Sequence, residues 1–264
     1  PTVSAEELRA QADAVLDGAD KSGFNAVFLQ VRPCSDALYP SEIYPWSRYL
    51  TGQQGVAPDS DFDPLAYWVS EAHRRGLELH AWINPYRIAR DASEWENLAE
   101  GSPARQRPDW VVQYGEGYYF NPGLPEVREL VISGVMEMIK KYQVDGIHLD
   151  DYFYPGADFN DGGTYAAYGT EFPDIGDWRR NNVNLLVSGL DASIHEVNPE
   201  LEFGISPSGI WASNTMHPEG SATTSSFSSY FSLYADSRTW VREGWVDYIA
   251  PQLYWEIGHA TADF

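Results

Sequence analysis

The feature of this sequence that most constrains its fold is a unit that occurs five times, a helix pattern followed by a short apolar run. In the first unit, Ser4 and Glu7 form a capping-box pattern, and Gly23 stands where the helix is expected to end. The apolar runs occupy residues 24–31, 77–83, 145–150, 201–206 and 246–253. A further short strand is predicted at residues 118–120. Helices that alternate with strands in this way predict an α/β fold with a parallel sheet.

The residues that follow the strands favour a closed barrel over an open sheet. No G-x-G-x-x-G or Walker pattern follows the first run, as an open nucleotide-binding sheet would require. Polar and aromatic clusters instead follow nearly every predicted strand, at residues 30–33, 82–87, 121–123, 150–155, 206–208 and 251–256. A site spread over all the strand ends is typical of the (β/α)8 TIM barrel. The long connections, residues 32–63 and 85–117, are therefore predicted to be loops at the rim that carries the site.

Length and charge limit the class of protein further. A chain of 264 residues fits one barrel domain. Its 17 basic and 39 acidic residues give a net charge of −22, which argues against nucleic acid as a partner. No apolar run reaches the roughly 18 to 20 residues that cross a bilayer, so no transmembrane segment is predicted. Cys34 is the only cysteine and the histidines lack ligand spacing, so no metal or cofactor is predicted.

The segment DGIHLDDYFYP, residues 145–155, carries the strongest catalytic signal. Side chains alternate along a strand, so His148 and Asp150 are expected to face the barrel interior while Ile147 and Leu149 face the outer helices. An inward carboxylate beside a second one is costly for packing alone, which favours a catalytic role for Asp150. Asp151 has two interpretations, a second catalytic acid or a residue that holds the following loop by accepting backbone N–H groups.

Other candidates come from the remaining strand ends. Alternation places Gln252, Tyr254 and Glu256 on one face, so Glu256 is either the partner acid or a solvated loop residue. Several polar side chains stand beside aromatic ones, which suggests a cleft that stacks sugar rings and binds their hydroxyl groups. The predicted substrate-binding residues are Arg32, Asp36, Trp82, Asn84, Tyr86, Arg87, His148, Tyr152, Ser206, Gln252, Tyr254 and Trp255.

Long motifs in the chain resemble those of a known family. They are GFNAVFLQVRP at residues 23–33, DGIHLDDYFYP at 145–155, DWRRNNVN at 177–184, FGISPSG at 203–209 and YIAPQLYW at 248–255, with further matches at 36–55 and 63–87. Together these segments resemble the glycosyl hydrolase-like family ten, and the resemblance covers about nine tenths of the chain. It implies a (β/α)8 barrel linked to cleavage of peptidoglycan glycan strands and an extracytoplasmic location, whether secreted, periplasmic or lipid-anchored.

The resemblance also bears on completeness. Family members begin with another strand and continue past the tyrosine–tryptophan motif, so residues 1–264 are expected to form a single barrel domain that lacks its first and last strands.

The sequence leads to one functional hypothesis with two alternatives. Paired acids and aromatic side chains at the rim predict a glycosidase that cleaves an N-acetylated polysaccharide. Asp150 would act as nucleophile or base, with Asp151 or Glu256 as the acid, or Asp150 and Asp151 would serve a substrate-assisted mechanism. The alternatives are a carbohydrate-binding barrel without activity, and a glycan deacetylase or transferase.

Overall fold

The structure is a computed structural model that describes residues 4–58 and 61–262. Its helices are α1 (Ala5–Lys21), α2 (Arg48–Thr51), α3 (Pro64–Arg74), α4 (Ala92–Glu96), α5 (Pro103–Gln106), α6 (Pro125–Lys141), α7 (Gly162–Tyr168), α8 (Ile175–Val197), α9 (Ser229–Ser232) and α10 (Ser237–Glu243). Its strands are β1 (Ala26–Arg32), β2 (Glu78–Ile83), β3 (Arg87–Ala89), β4 (Val111–Tyr114), β5 (Gly117–Phe120), β6 (Gly146–Leu149), β7 (Glu202–Ile205) and β8 (Tyr248–Ile249).

Five strands form one parallel sheet in the order β1-β2-β6-β7-β8. Four of them lie within apolar runs of the sequence, β1 extends one residue past the first run to Arg32, and helices connect them. Within the described residues the sheet is open between β1 and β8. That the domain lacks its first and last strands stays a prediction.

Local sequence signals explain where the helices begin and end. Helix α1 has the complete capping box between Ser4 and Glu7, and Gly23, with a φ of 78°, turns the chain toward β1. Helix α3 begins at Pro64 with Asp63 as its N-cap. Helix α8 begins at Ile175, and its N-cap Asp174 accepts the backbone N–H of Asp177.

The predicted strand at residues 118–120 exists, but its assignment to the parallel sheet was wrong. It belongs to β5, which pairs antiparallel with β3 and β4 in a separate three-stranded sheet. A tight turn at Gly115, with a φ of 56°, joins β4 directly to β5 and so favours antiparallel pairing over a crossover. The long connection after β2 is therefore a folded subdomain of the rim and not only a loop.

The two faces of the parallel sheet have different chemistry. Ile147 and Leu149 of β6 pack in the hydrophobic core between the sheet and the outer helices. His148, between them, faces the interior and contacts the rings of Phe28 and Tyr248. The predicted alternation along β6 is thereby confirmed.

At the amino ends of the strands, the same arrangement occurs twice. Asp145, just before β6, accepts the N–H of Leu79 at 2.7 Å and lies 2.8 Å from Nε2 of His73. Asp247, just before β8, accepts the N–H of Phe203 at 2.7 Å and lies 3.4 Å from Nε2 of His195. A carboxylate thus holds the start of β6 to β2, and another holds the start of β8 to β7. In the described part of the chain, no helix is long and apolar enough to cross a membrane.

Candidate active site

The inner face of the sheet ends in a row of polar and aromatic side chains. Parallel pairing places one residue of each strand in register across the sheet, namely Gln30, Trp82, His148, Gly204 and Tyr248. Asn84, Asp150 and Ser206 lie two residues further along their chain segments, toward the carboxyl ends of the strands. The register of the sheet therefore brings together residues that are far apart in sequence.

Asp150 is the buried centre of this rim, with only 3% of its surface exposed. The indole Nε1 of Trp82 donates to its Oδ2 at 3.1 Å. The amide of Asn84 donates to both carboxylate oxygens, at 3.2 and 3.1 Å. The backbone N–H of Tyr152 donates to Oδ1 at 3.2 Å. Donors from β2 and its carboxyl end, and from the loop after β6, thus hold the carboxylate in a single orientation.

The orientation of Asn84 is itself determined by the backbone. Its Oδ1 accepts the N–H of Tyr86 at 3.3 Å and the N–H of Arg87 at 2.8 Å. Because the oxygen is occupied in this way, the amide nitrogen faces Asp150. Asn84 therefore presents a fixed N–H donor to the carboxylate.

Burial raises the pKa of Asp150 from 3.8 to about 6. The hydrogen bonds from Trp82, the backbone of Tyr152 and Asn84, with the nearby Arg87 guanidinium, lower it and offset part of the effect of burial. Its ionisation therefore falls close to neutral pH, where a change of protonation is useful in catalysis.

His148 belongs to a hydrogen-bonded chain in the interior. Its Nε2 lies 2.9 Å from Oγ of Ser206, and its Nδ1 lies 3.1 Å from the hydroxyl of Tyr248. The same hydroxyl lies 2.9 Å from Nδ1 of His80. Burial, with the neighbouring His80, lowers the pKa of His148 to about 4, so the ring is neutral at pH 7.

An open cleft of about 490 Å³ lies directly above these groups. Its aromatic walls are exposed, since Tyr152 is 48% and Tyr254 84% accessible to solvent. The cleft is lined by Phe28, Trp82, His148, Asp150, Asp151, Tyr152, Ser206, Ala250, Pro251, Gln252, Leu253 and Tyr254. Carboxyl groups beside exposed aromatic rings are the chemistry that binds and cleaves sugars.

Asp151 lies at this cleft, next to Asp150. The loop after β6 is held by other groups, because Oδ1 of Asp150 accepts the N–H of Tyr152 and the backbone carbonyl of Asp151 accepts that of Phe153. Among the described residues the carboxylate of Asp151 has no hydrogen-bond partner. The Asp151 side chain therefore does not hold the loop by accepting backbone N–H groups, which was one of its two interpretations.

Three of the predicted binding residues are buried away from the cleft. An irregularity in the pairing of β1 between Gln30 and Arg32 turns Arg32 outward, where its guanidinium lies 4.1 Å from the centre of the Tyr44 ring and against Gly134 of α6. Asp36 is fully buried beside Ser47 and Gln54, and burial raises its pKa. The Tyr86 side chain is buried in the core, so this residue serves the site only through its backbone N–H.

The remaining predicted residues divide between the cleft and its surroundings. Ser206 and Gln252 lie in the cleft, and Nε2 of Gln252 donates to the carbonyl of Ser206 at 2.8 Å. Arg87 stands at its edge, with its guanidinium 5.2 Å from the centre of the Tyr152 ring. Trp255 instead packs against Gly209 in the loop after β7. Glu256 is exposed and is not among the residues that line the cleft, although Tyr254, two residues earlier, is.

Sequence reasoning missed a buried residue that supports the site. Arg179 of α8 pairs with Asp161 and donates to the carbonyls of Ala157 and Phe159, both at 2.7 Å. These contacts hold the loop that follows β6 and carries Asp151. The sequence feature that could have pointed to it is the pair of consecutive arginines, Arg179 and Arg180, in an otherwise amphipathic helix.

No group of three or more His, Cys, Asp or Glu side chains within residues 4–58 and 61–262 is arranged to hold a metal ion. The chemistry available in the cleft is that of carboxyl, imidazole, hydroxyl and amide groups.

The fold and the cleft together define an α/β barrel protein with a carboxylate site at the carboxyl ends of its strands. Among solved structures, alpha-L-fucosidase isoenzyme 2 from Paenibacillus thiaminolyticus has a similar fold, with a TM-score of 0.50, 18% identity, and coverage of 74% of this chain and 29% of that one. The predicted TIM-barrel fold class is confirmed.

The chain belongs to the family described as Glycosyl hydrolase-like 10, whose sequence profile matches residues 4–264. Glycosyl hydrolase YngK of Bacillus subtilis (strain 168) is 46% identical over 267 residues, 99% of this chain and 52% of that protein. Glycosyl hydrolase DigH of Escherichia coli (strain K12) is 40% identical over 270 residues, 97% of this chain and 61% of that protein. The chain thus spans only part of the length of these relatives.

Proposed function

We propose that this chain is the catalytic domain of a glycosidase that cleaves an N-acetylated polysaccharide, with peptidoglycan glycan strands as the substrate. The observation that carries the proposal is the buried Asp150 carboxylate, which Trp82, Asn84 and the Tyr152 backbone hold at the floor of an open cleft. Membership of a glycosyl hydrolase-like family supports the reaction class.

Asp150 is assigned the role of the anion at the reaction centre. Its two oxygens are oriented by N–H donors, so little reorganisation is needed when positive charge develops at the anomeric carbon. In a substrate-assisted mechanism the same carboxylate would orient the acetamido group, whose oxygen attacks the anomeric carbon. Both versions require Asp150 to be ionised, so activity is expected to fall as the pH drops below about 6.

Asp151 is assigned the role of proton donor to the leaving oxygen. It supplies the second carboxyl group of the cleft and projects from a loop that Arg179 and Asp161 hold in place. A proton donor must reach the glycosidic oxygen above the sugar plane, which suits a residue on the loop above the strand end.

The setting of the reaction is also a proposal. We place the protein outside the cytoplasm, as a secreted, periplasmic or lipid-anchored enzyme, because its substrate would be found there. A chain with a single buried cysteine is compatible with an oxidising compartment.

The test is the release of new reducing ends from peptidoglycan strands that lack stem peptides. The protein should cleave them, and Asp150→Asn and Asp151→Asn should each lower kcat by at least about a hundredfold. Glu256→Gln is the matched control, since it neutralises an exposed acid outside the cleft and should retain activity. Binding without cleavage by the unsubstituted protein, or full activity of Asp150→Asn, would refute the proposal.

A further inference from the structure

A second polar groove lies on the same rim as the cleft, and nothing in the proposed reaction uses it. It has a volume of about 620 Å³ and lies between α2, in the connection after β1, and α4, in the subdomain after β2. We call it the outer groove. Its polar and aromatic walls include Arg48, Tyr49, Gln53, Arg90, Ser93 and Asn97.

The outer groove carries an excess of positive charge in a strongly acidic chain. Arg48 and Arg90 share a single carboxylate, that of Glu94, with Arg48 at Oε2 and Arg90 at Oε1. Hydrogen bonds from Arg90 hold the pKa of Glu94 low despite its partial burial, which raises it. Glu94 is therefore ionised and neutralises only one of the two guanidinium groups.

Arg90 is available to a ligand. Its side chain is 57% exposed, whereas that of Glu94 is 11% exposed. Nε and Nη2 of Arg90 are both directed at Glu94, at 2.8 and 2.6 Å, and among the described residues its Nη1 has no hydrogen-bond partner. The Glu94 carboxylate thus fixes the guanidinium while it leaves donor capacity directed elsewhere.

The aromatic and amide groups of the outer groove match a sugar ring. Tyr49 is 48% exposed and lies near both guanidinium groups, 5.3 Å from Arg48 and 5.7 Å from Arg90. Exposed tyrosine faces pack against pyranose rings, while amide groups such as those of Gln53 and Asn97 bind hydroxyls. The Arg90 guanidinium, which keeps free N–H donors, is suited to bind one carboxylate group of a ligand.

A run of direct contacts connects the outer groove to the cleft. The guanidinium of Arg87 lies over Tyr152 of the cleft, and its Nε donates to the carbonyl of Pro33 at 3.1 Å. The next residue, Cys34, has its Sγ 3.9 Å from Nη2 of Arg48. Arg87 and this short buried segment therefore link the walls of the two sites, which lie on the same rim.

We propose that the outer groove is a binding subsite for a carboxylate-bearing sugar of the same glycan chain that is cut in the cleft. The proposal rests on the proposed function and adds substrate selection to it. Strands whose sugars carry a free carboxylate would bind better than neutral strands, although the protein as a whole is acidic.

The experiment compares two glycans in calorimetric titrations. Peptide-free peptidoglycan oligosaccharides with free lactyl carboxylates are titrated against the same oligosaccharides after chemical reduction of the carboxyl groups to alcohols. Asp150→Asn protein is used so that the strands stay intact. The carboxylate form should bind about two to five times more tightly, as expected for a partly exposed ion pair. Added salt should reduce the difference.

The matched variants are Arg90→Gln and Arg242→Gln, made in the same background. Arg242 is 56% exposed and also pairs with a single glutamate, Glu219, but lies on α10 outside the outer groove. Arg90→Gln should abolish the preference for the carboxylate form, and Arg242→Gln should leave it intact.

Equal affinity for the two glycans, no binding of either, or the same loss in both arginine variants would overturn the proposal. Failure of the proposed function gives a different result, because carboxylate-dependent binding would persist while the unsubstituted protein released no reducing ends. Cleavage without carboxylate-dependent binding would overturn the outer-groove proposal alone.

Discussion

Replacement of Asp150 by Asn should make the folded protein more stable at neutral pH, although it should abolish activity. The buried carboxyl has a pKa of about 6, against an ordinary value of 3.8. The folded protein therefore binds this proton more tightly than the unfolded chain. The stability that this proton contributes is fully present below about pH 4 and is lost as the pH rises through about 6.

The magnitude follows from the two pKa values. One pH unit corresponds to about 1.4 kcal/mol, so holding the charged carboxylate in the fold at pH 7 costs about 3 kcal/mol. The amide of Asn has only one acceptor oxygen, so its nitrogen faces one of the present donors, at a cost of about 1 kcal/mol. The net expectation is that Asp150→Asn raises the free energy of unfolding at pH 7 by about 2 kcal/mol.

Urea denaturation between pH 5 and pH 8 provides the measurement. The stability difference between Asp150→Asn and the unsubstituted protein should grow by about 1 kcal/mol from pH 5 to pH 7 and then level off. Groups that titrate in both proteins, including His148, cancel in this difference. Glu256→Gln serves as the control and should show a difference near zero at every pH. A pH-independent difference, or a less stable Asp150→Asn protein at pH 7, would refute the reasoning.

Two further predictions concern stability. Arg179→Met leaves the buried Asp161 carboxylate without its partner and should lower the free energy of unfolding, measured by urea denaturation, by about 3–5 kcal/mol. The exposed control Arg74→Met should lower it by less than about 1 kcal/mol. A loss below about 1 kcal/mol for Arg179→Met would contradict this account. Asp145→Asn weakens the acceptor for the Leu79 N–H and removes the charge beside His73, so it should lower the free energy of unfolding by about 1–2 kcal/mol. The exposed control Asp20→Asn should be nearly neutral, and equal effects in the two variants would show that the Asp145 contact contributes little.

Local chemistry in the sequence was sufficient to predict the repeating framework. The capping box at Ser4 and Glu7 and the start of α3 at Pro64 depend on residues a few positions apart, so spacing alone determines them. Strand alternation likewise predicted that His148 and Asp150 share the inner face, because the period of two belongs to the strand itself.

The tertiary structure decided which side chains reach the cleft. A one-residue irregularity in β1 directs Arg32 to the outer helices, and Glu256, beyond β8, is exposed and does not line the cleft. The two residues stand at strand ends in the sequence just as Asn84 does, so local pattern does not distinguish them. Pairing between distant strands makes the difference, because it sets where each strand end lies relative to its neighbours.

The electrostatic state of the site is also a tertiary property. The sequence shows Asp150 beside Asp151 as two similar acids, but burial and the donors Trp82 and Asn84, more than sixty residues away, act on Asp150. A pKa depends on solvent exclusion and on dipoles within a few ångströms, and neither can be read from chain neighbours. The sequence by itself therefore determined the barrel framework and the acid at its rim, while folding determined how that acid is buried, held and paired.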